Sequence, residues 1–192
     1  MELGNLDFKI GCVNPSGIGS TIFRIAKKHI KSWPTIEDDH EAEGKVADLS
    51  EYTGDFVLVD GKVFDKFYST QGKGKLTFQP TGEIDCKMFT NSGTFSFPDL
   101  TSEALGFSKT AANDDYVYIA KSAGRYHVLG HQDYRTTTSP AGDTGDAAGS
   151  AKGITFTVEC PDVTPLPIYK GKIVTSDGEL DCATGEFTPK AG

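Results

Sequence analysis

Between Phe97 and Gly130 the chain changes its hydrophobic period twice, and that limits the folds open to it. Phe97-Pro98-Asp99-Leu100 ends a strand, Thr101 to Asn113 repeats at helical spacing, and two alternating runs, Tyr116–Ala120 and Tyr126–Leu129, follow as a hairpin. The flanking sequence reads as strands joined by Gly-rich turns. The expected architecture is mainly β, with two packed antiparallel sheets and one flanking helix.

Asp99 or Thr101 can cap the helix, and Glu103 lies in its first turn near the positive end of the dipole. Leu100, Ala104, Leu105 and Ala111 fall at roughly helical spacing, and Asn113 can end it. Gly106 breaks the propensity, which fits a close approach to the sheet. In the hairpin, Val117 and Ile119 share one face and Tyr116, Tyr118 and Ala120 the other; Ser122-Ala-Gly124 suits a bulged turn.

Upstream, Phe56–Val59, Asp60-Gly61 and Lys62–Phe64 give a hairpin pattern with a turn dipeptide. Runs at Lys66–Tyr68 and Lys75–Phe78 flank Gln71-Gly-Lys-Gly74, which reads as a hairpin loop. Pro80-Thr-Gly82 and Asn91-Ser-Gly93 read as turns on either side of Ile84–Phe89. In Thr94–Phe97 the phenylalanines share one face and the hydroxyls the other, the pattern of a sheet with one wet side. Ile154, Phe156 and Val158 alternate in the same way. Pro161–Pro167 reads as extended, and Asp177-Gly178 as a further hairpin turn before Glu179–Ala183.

Two readings of residues 21–33 stay open. Ile22, Ile25, Ala26, His29, Ile30 and Trp33 fit a short amphipathic helix, whereas Thr21-Ile-Phe23 and the stop at Trp33-Pro34 fit a strand. Residues 37–43, with five acids, read as a solvated loop. Residues 136–153 contain no large apolar residue between Thr136 and Gly153 and are expected to be a mobile loop; residues 184–192 are expected to be a loose end. All 192 residues fit one domain.

The formal net charge of −8 argues against a surface that grips nucleic acid or an anionic membrane, since phosphate binding needs clustered Lys and Arg. No apolar run is long enough to span a bilayer, and Met1–Asp7 lacks the basic and apolar regions of a secretory signal. Cys12, Cys86, Cys160 and Cys182 have no metal-type spacing and are expected to be reduced and mostly buried. No phosphate loop is present: Gly17-Ile-Gly19 lacks its third glycine, and Gly72-Lys-Gly-Lys75 precedes no helix. His127 and His131 are four apart in a strand pattern, about 13 Å and too far for one metal. His40, among acids, is better read as part of the solvated loop. No nucleophile elbow is found, so neither an enzyme nor a cofactor is expected.

Several stretches occur in an order that resembles the tail tube proteins of bacteriophages and prophages of Bacteroidetes-type hosts. They are Ile30–Pro34, Ser92–Pro98, Glu103–Phe107, Ala111–Asn113, Tyr116–Lys121, Arg125–Gly130 and Pro165–Gly171. The resemblance spans about Gly17 to Gly171. It implies a strand over Thr21–Lys27 and subunits that form hexameric rings stacked into a hollow tube. Strands of all six would close an inner barrel through which DNA passes without specific binding. It further implies a virion structural protein, made in the host bacterial cytoplasm and residing in the virion tail. Its partners would be copies of itself and other tail proteins such as tape measure and terminator, with no membrane.

Under this reading the candidate assembly contacts are Gly72, Lys73, Gly74, Lys75, Thr136, Ser139, Asp143 and Asp146. Acidic residues facing the channel would repel phosphates. The alternatives are another phage structural β-sandwich, such as a capsid decoration or sheath-like protein, and a carbohydrate-binding β-sandwich. The last would use Tyr116, Tyr118, Tyr126 and Tyr134 as exposed aromatics.

Overall fold

The computed structural model describes residue 6, residues 13–38 and residues 43–190. Its strands are β1 (Thr21–Ala26), β2 (Ile30–Ser32), β3 (Glu51–Tyr52), β4 (Val57–Leu58), β5 (Asp65–Tyr68), β6 (Lys75–Thr81) and β7 (Met88–Phe97). After helix α1 (Ser102–Ala111) come β8 (Tyr116–Ser122), β9 (Arg125–Leu129), β10 (Thr137–Asp143), β11 (Gly153–Asp162) and β12 (Ile168–Tyr169). The chain ends with β13 (Lys172–Thr175), β14 (Gly178–Asp181) and β15 (Phe187–Pro189).

A six-stranded sheet, β3-β12-β9-β8-β1-β5, forms the middle layer. A four-stranded sheet, β10-β11-β7-β6, covers one face, and the three-stranded β13-β14-β15 covers the other. Pairing is antiparallel throughout these sheets except between β12 and β3. The middle sheet is apolar on both faces because each side has its own core. Ile22, Tyr118, Ala120 and Leu129 meet Phe95, Ile154, Phe156 and Val158 of the four-stranded sheet. Phe23, Ile25, Val117, Ile119, Tyr126 and Val128 meet Ile173 and Leu180 of the small sheet and Cys182 in the turn after β14. In the first core Phe67 stands edge-on to Phe95 and Phe156, with centroids 5.9 and 5.5 Å apart. Each such buried ring contributes about 1.5–3 kcal/mol.

The strand reading of residues 21–26 is the correct one. Helical spacing misled because β1 is buried on both sides, and two-sided burial removes the alternation that marks a strand. α1 starts as expected: the Thr101 hydroxyl accepts the Ala104 N–H at 3.2 Å. Ala104, Phe107 and Leu100 pack onto the first core. Gly106 does not approach the sheet; a Cβ there would meet nothing within 4 Å.

Several turns differ from expectation. Asn91-Ser-Gly93 is no turn but the middle of the continuous ten-residue β7. Asn91 is fully buried, and Gly93 lets Leu129 and Phe95 close over the strand. The β8–β9 turn is a two-residue turn, not a bulged one, with Ala123 and Gly124 both at positive φ. Gly61 does turn the chain, but β4 pairs with β2, not with residues 62–64. The β13–β14 turn is Ser176-Asp177, one residue earlier than expected. The chain bends after Asp162 with Leu166 at φ 43°, so 161–167 is not extended.

Residues 136–153 are not one loop. β10 occupies 137–143, paired along its whole length with β11, and only the turn beyond it is irregular. The tail is likewise tied down, with β15 paired to β14. Of the cysteines, Cys160 and Cys182 are buried and Cys86 is exposed. Cys12 and His40 lie outside the described residues.

Candidate functional site

One face of the four-stranded sheet packs on the core, and the other is an open field of hydroxyls. The alternation that puts Phe95, Ile154, Phe156 and Val158 inward puts their neighbours outward. Across the sheet, Ser139, Thr157, Thr94 and Lys75 form one straight row. Thr137, Glu159, Ser92 and Thr77 form the next, and Ala141, Thr155 and Ser96 flank the first on its other side. These residues are half-buried or exposed. None of the named hydroxyls hydrogen-bonds to another side chain among the described residues, so they are free for water. Lys75, Glu159 and Asp143 are the charges on this surface. It is therefore close to neutral, and the expected acidic lining is not found here.

β10 and β6 are the two edge strands of this sheet. Each carries one proline, Pro140 and Pro80, in the place where a missing N–H costs no internal ladder bond. Their remaining outward N–H and C=O groups are unpaired by any strand, and such edges invite another strand.

The expected contact residues fall on opposite sides of the sheet. Lys75 begins β6, at one edge, and Ser139 and Asp143 lie on β10, at the other. Gly72, Lys73 and Gly74 do not form a hairpin loop; they carry the chain from β5 in the middle sheet to β6 in the outer one. The link is pinned by Thr70, whose N–H donates to the Ser96 carbonyl at 2.7 Å. Gly74 abuts Ile18 so closely that a Cβ would lie 2.5 Å from it. Thr136 is buried, and its N–H donates to the Asp115 carboxylate at 3.0 Å, so it cannot be a surface contact. Asp146, in the turn after β10, accepts the Ser150 hydroxyl at 2.6 Å, which holds its carboxyl below the usual range.

The hydroxyl rows of β7 and β11 are hard to read from sequence as one surface. Thr90-x-Ser92-x-Thr94-x-Ser96 has period two, but the turn-like Asn91-Ser-Gly93 cut that pattern in half. Of the four tyrosines a sugar-binding surface would use, Tyr118 and Tyr126 are buried, and Tyr116 and Tyr134 are half-buried. Among the described residues no group of His, Cys, Asp and Glu could hold a metal ion, and no helix is long and apolar enough to cross a membrane.

No family model matches the chain, and no curated protein or solved structure matches it.

Proposed function

We propose that this chain is a structural subunit that builds a hollow tube from rings of its own copies, the subunit of a phage tail tube. The carrying observation is the four-stranded sheet, which has an open edge on each side and a wet hydroxyl face between them. β10 and β6 are three antiparallel steps apart and so run in opposite directions. Rotation about an axis along the tube preserves strand direction. A neighbour's β10 laid against β6 therefore continues the antiparallel pattern, and a ring closes without a parallel seam. Closure removes every edge of this sheet.

Six copies would give a wall of about 24 strands, wider than the 16–18 that leave an aqueous channel in porins. Apolar faces point outward into each subunit's own core and hydroxyls into the bore. A bore whose only cation per copy among the described residues, Lys75, is outnumbered by Glu159 and Asp143 offers DNA little counterion release, so a duplex can slide without being held.

Negative-stain images of the concentrated protein, with sedimentation at several concentrations, test this. Rings or hollow tubes of uniform bore are expected. A monomer at every concentration overturns the reading, and discrete trimers with no tubes would favour a capsid decoration protein.

A further inference from the structure

We infer that the β6–β7 hairpin tip of one copy seats in an aromatic cleft that holds an unpaired arginine, at the far end of the same sheet in a second copy. This rests on the reading above in one respect, that rings of copies stack end to end, with the strands slanted along the tube.

The cleft, about 180 Å³, lies beside α1 where β7 ends. Arg24 of β1 reaches into it with its guanidinium 3.6 Å from the centre of the Phe107 ring. Phe67 and Phe156 add to an apolar floor; Glu103 stands at the rim with Lys66, whose ammonium is paired with Asp177 at 2.8 Å, so that Arg24 is the cation left to a ligand. Arg24 has no hydrogen-bond or ion-pair partner among the described residues, although Asp65 lies beside it on β5. A half-buried guanidinium has five donors in a planar fork and is matched best by a carboxylate. The floor next to it calls for an apolar side chain alongside that carboxylate.

Glu83-Ile84-Asp85 has that chemistry. Ile84 is 82% exposed between two acids. Neither acid is paired among the described residues, because Lys87 bends back to the Gly82 carbonyl. The tip is shaped in advance: Asp85 is held at φ 66°, and the Cys86 N–H donates to the Glu83 carbonyl. Preorganisation of this kind lowers the ordering cost of docking.

The nine residue steps of β7 separate tip from cleft, about 30 Å along the strand. A tip at one end and its receptor at the other cannot satisfy each other within one molecule. Between molecules they make a head-to-tail contact that repeats without closing, as a stack requires.

The test uses the exposed Cys86. In the full chain with Cys12→Ser and Glu103→Cys, a short bismaleimide should join Cys86 of one copy to position 103 of the next, giving a ladder of dimers, trimers and higher species. Cys86→Ser should abolish the ladder. Arg24→Gln, and independently the surface change Ile84→Lys, should cut its yield at least about tenfold. A ladder indifferent to Ile84→Lys, or none in rings and tubes that form normally, overturns this contact and leaves the ring reading standing. A ladder without rings upholds the contact and overturns the ring. Neither ladder nor assembly at any concentration overturns both.

Discussion

The side-chain oxygen of Asn91, in the middle of β7, accepts the backbone N–H of Leu166 at 3.0 Å. The same carboxamide donates to the Thr164 carbonyl at 2.8 Å and to the Asp162 carboxylate at 3.2 Å. One buried side chain thus replaces the strand partner that the bend after β11 lacks. It holds Leu166 in the left-handed region, where its carbonyl meets the His127 ring at 2.9 Å. Asn91→Ala leaves several buried polar groups unmatched and should cost about 3 kcal/mol. Urea unfolding checks this; a loss under about 1 kcal/mol would mean that water replaces the carboxamide.

Asp162 in this knot sets a pH dependence. Burial holds its carboxyl above the usual carboxylate range, against the Thr164 N–H and the nearby His131, which pull it down. The folded chain therefore keeps this proton to higher pH than the unfolded one. The resulting stabilisation is full below the unfolded value of about 3.9 and is lost as pH rises through the folded value. Melting temperatures of the wild type relative to Asp162→Asn should fall from pH 3 toward neutrality. A constant difference would show that Asp162 does not titrate in that window.

Two glycines should respond in opposite directions. At Gly93 a Cβ would lie 2.4 Å from Leu129 Cδ1 and 3.0 Å from Phe95 Cζ. Leu129 is 1% exposed and has no room to yield, so Gly93→Ala should cost about 1–3 kcal/mol. Gly106 faces open space on α1, and Gly106→Ala should gain up to about 1 kcal/mol. Thermal unfolding of both variants decides; equal signs would contradict the packing described.

Thiol reactivity should separate the cysteines. Burial pushes the Cys160 thiol up to about 11 and the Cys182 thiol up to about 12, whereas Cys86 is exposed. In the folded protein an alkylating reagent at pH 8 should modify Cys86 and spare the other two, as peptide mapping by mass spectrometry would reveal. Rapid modification of Cys160 would mean that the β10–β11 pair opens readily.

Much of the fold was legible because its signals are local. The caps of α1, the outward hydroxyls of Thr94–Phe97 and the β8–β9 pair need only near neighbours to be read. Failures came where a distant partner decides the outcome. Asn91-Ser-Gly93 has turn chemistry, yet Leu129 needs the glycine, and Thr164 and Leu166 need the asparagine. Residues 137–143 have no large apolar side chain, yet β11 supplies their ladder. Lys75 and Asp143 could be picked out as contact residues, but nothing local shows that they sit on opposite edges of one sheet.

Those two residues predict the register of the seam between copies. β6 and β10 are each seven residues long, and full antiparallel overlap sets Lys75 opposite a neighbour's Asp143, Thr77 opposite Ala141 and Thr81 opposite Thr137. Within one copy, Lys75 is level with Ser139. Meeting Asp143 instead advances each copy by four residues per four strands, or one residue per strand. That is the stagger of an eight-stranded barrel of shear eight, whose strands tilt by about 36°, inside the range a closed barrel needs. It also sets a cation against an anion at every seam. Lys75→Glu or Asp143→Lys alone should weaken assembly by placing like charges together, and the double exchange should restore it. Thr77→Cys with Ala141→Cys should form disulfides between copies, since opposed residues in such a pair have Cα atoms about 4.5–5.5 Å apart. Rings that form normally but cross-link through Thr77→Cys and Thr137→Cys instead would show that the copies meet level, without this stagger.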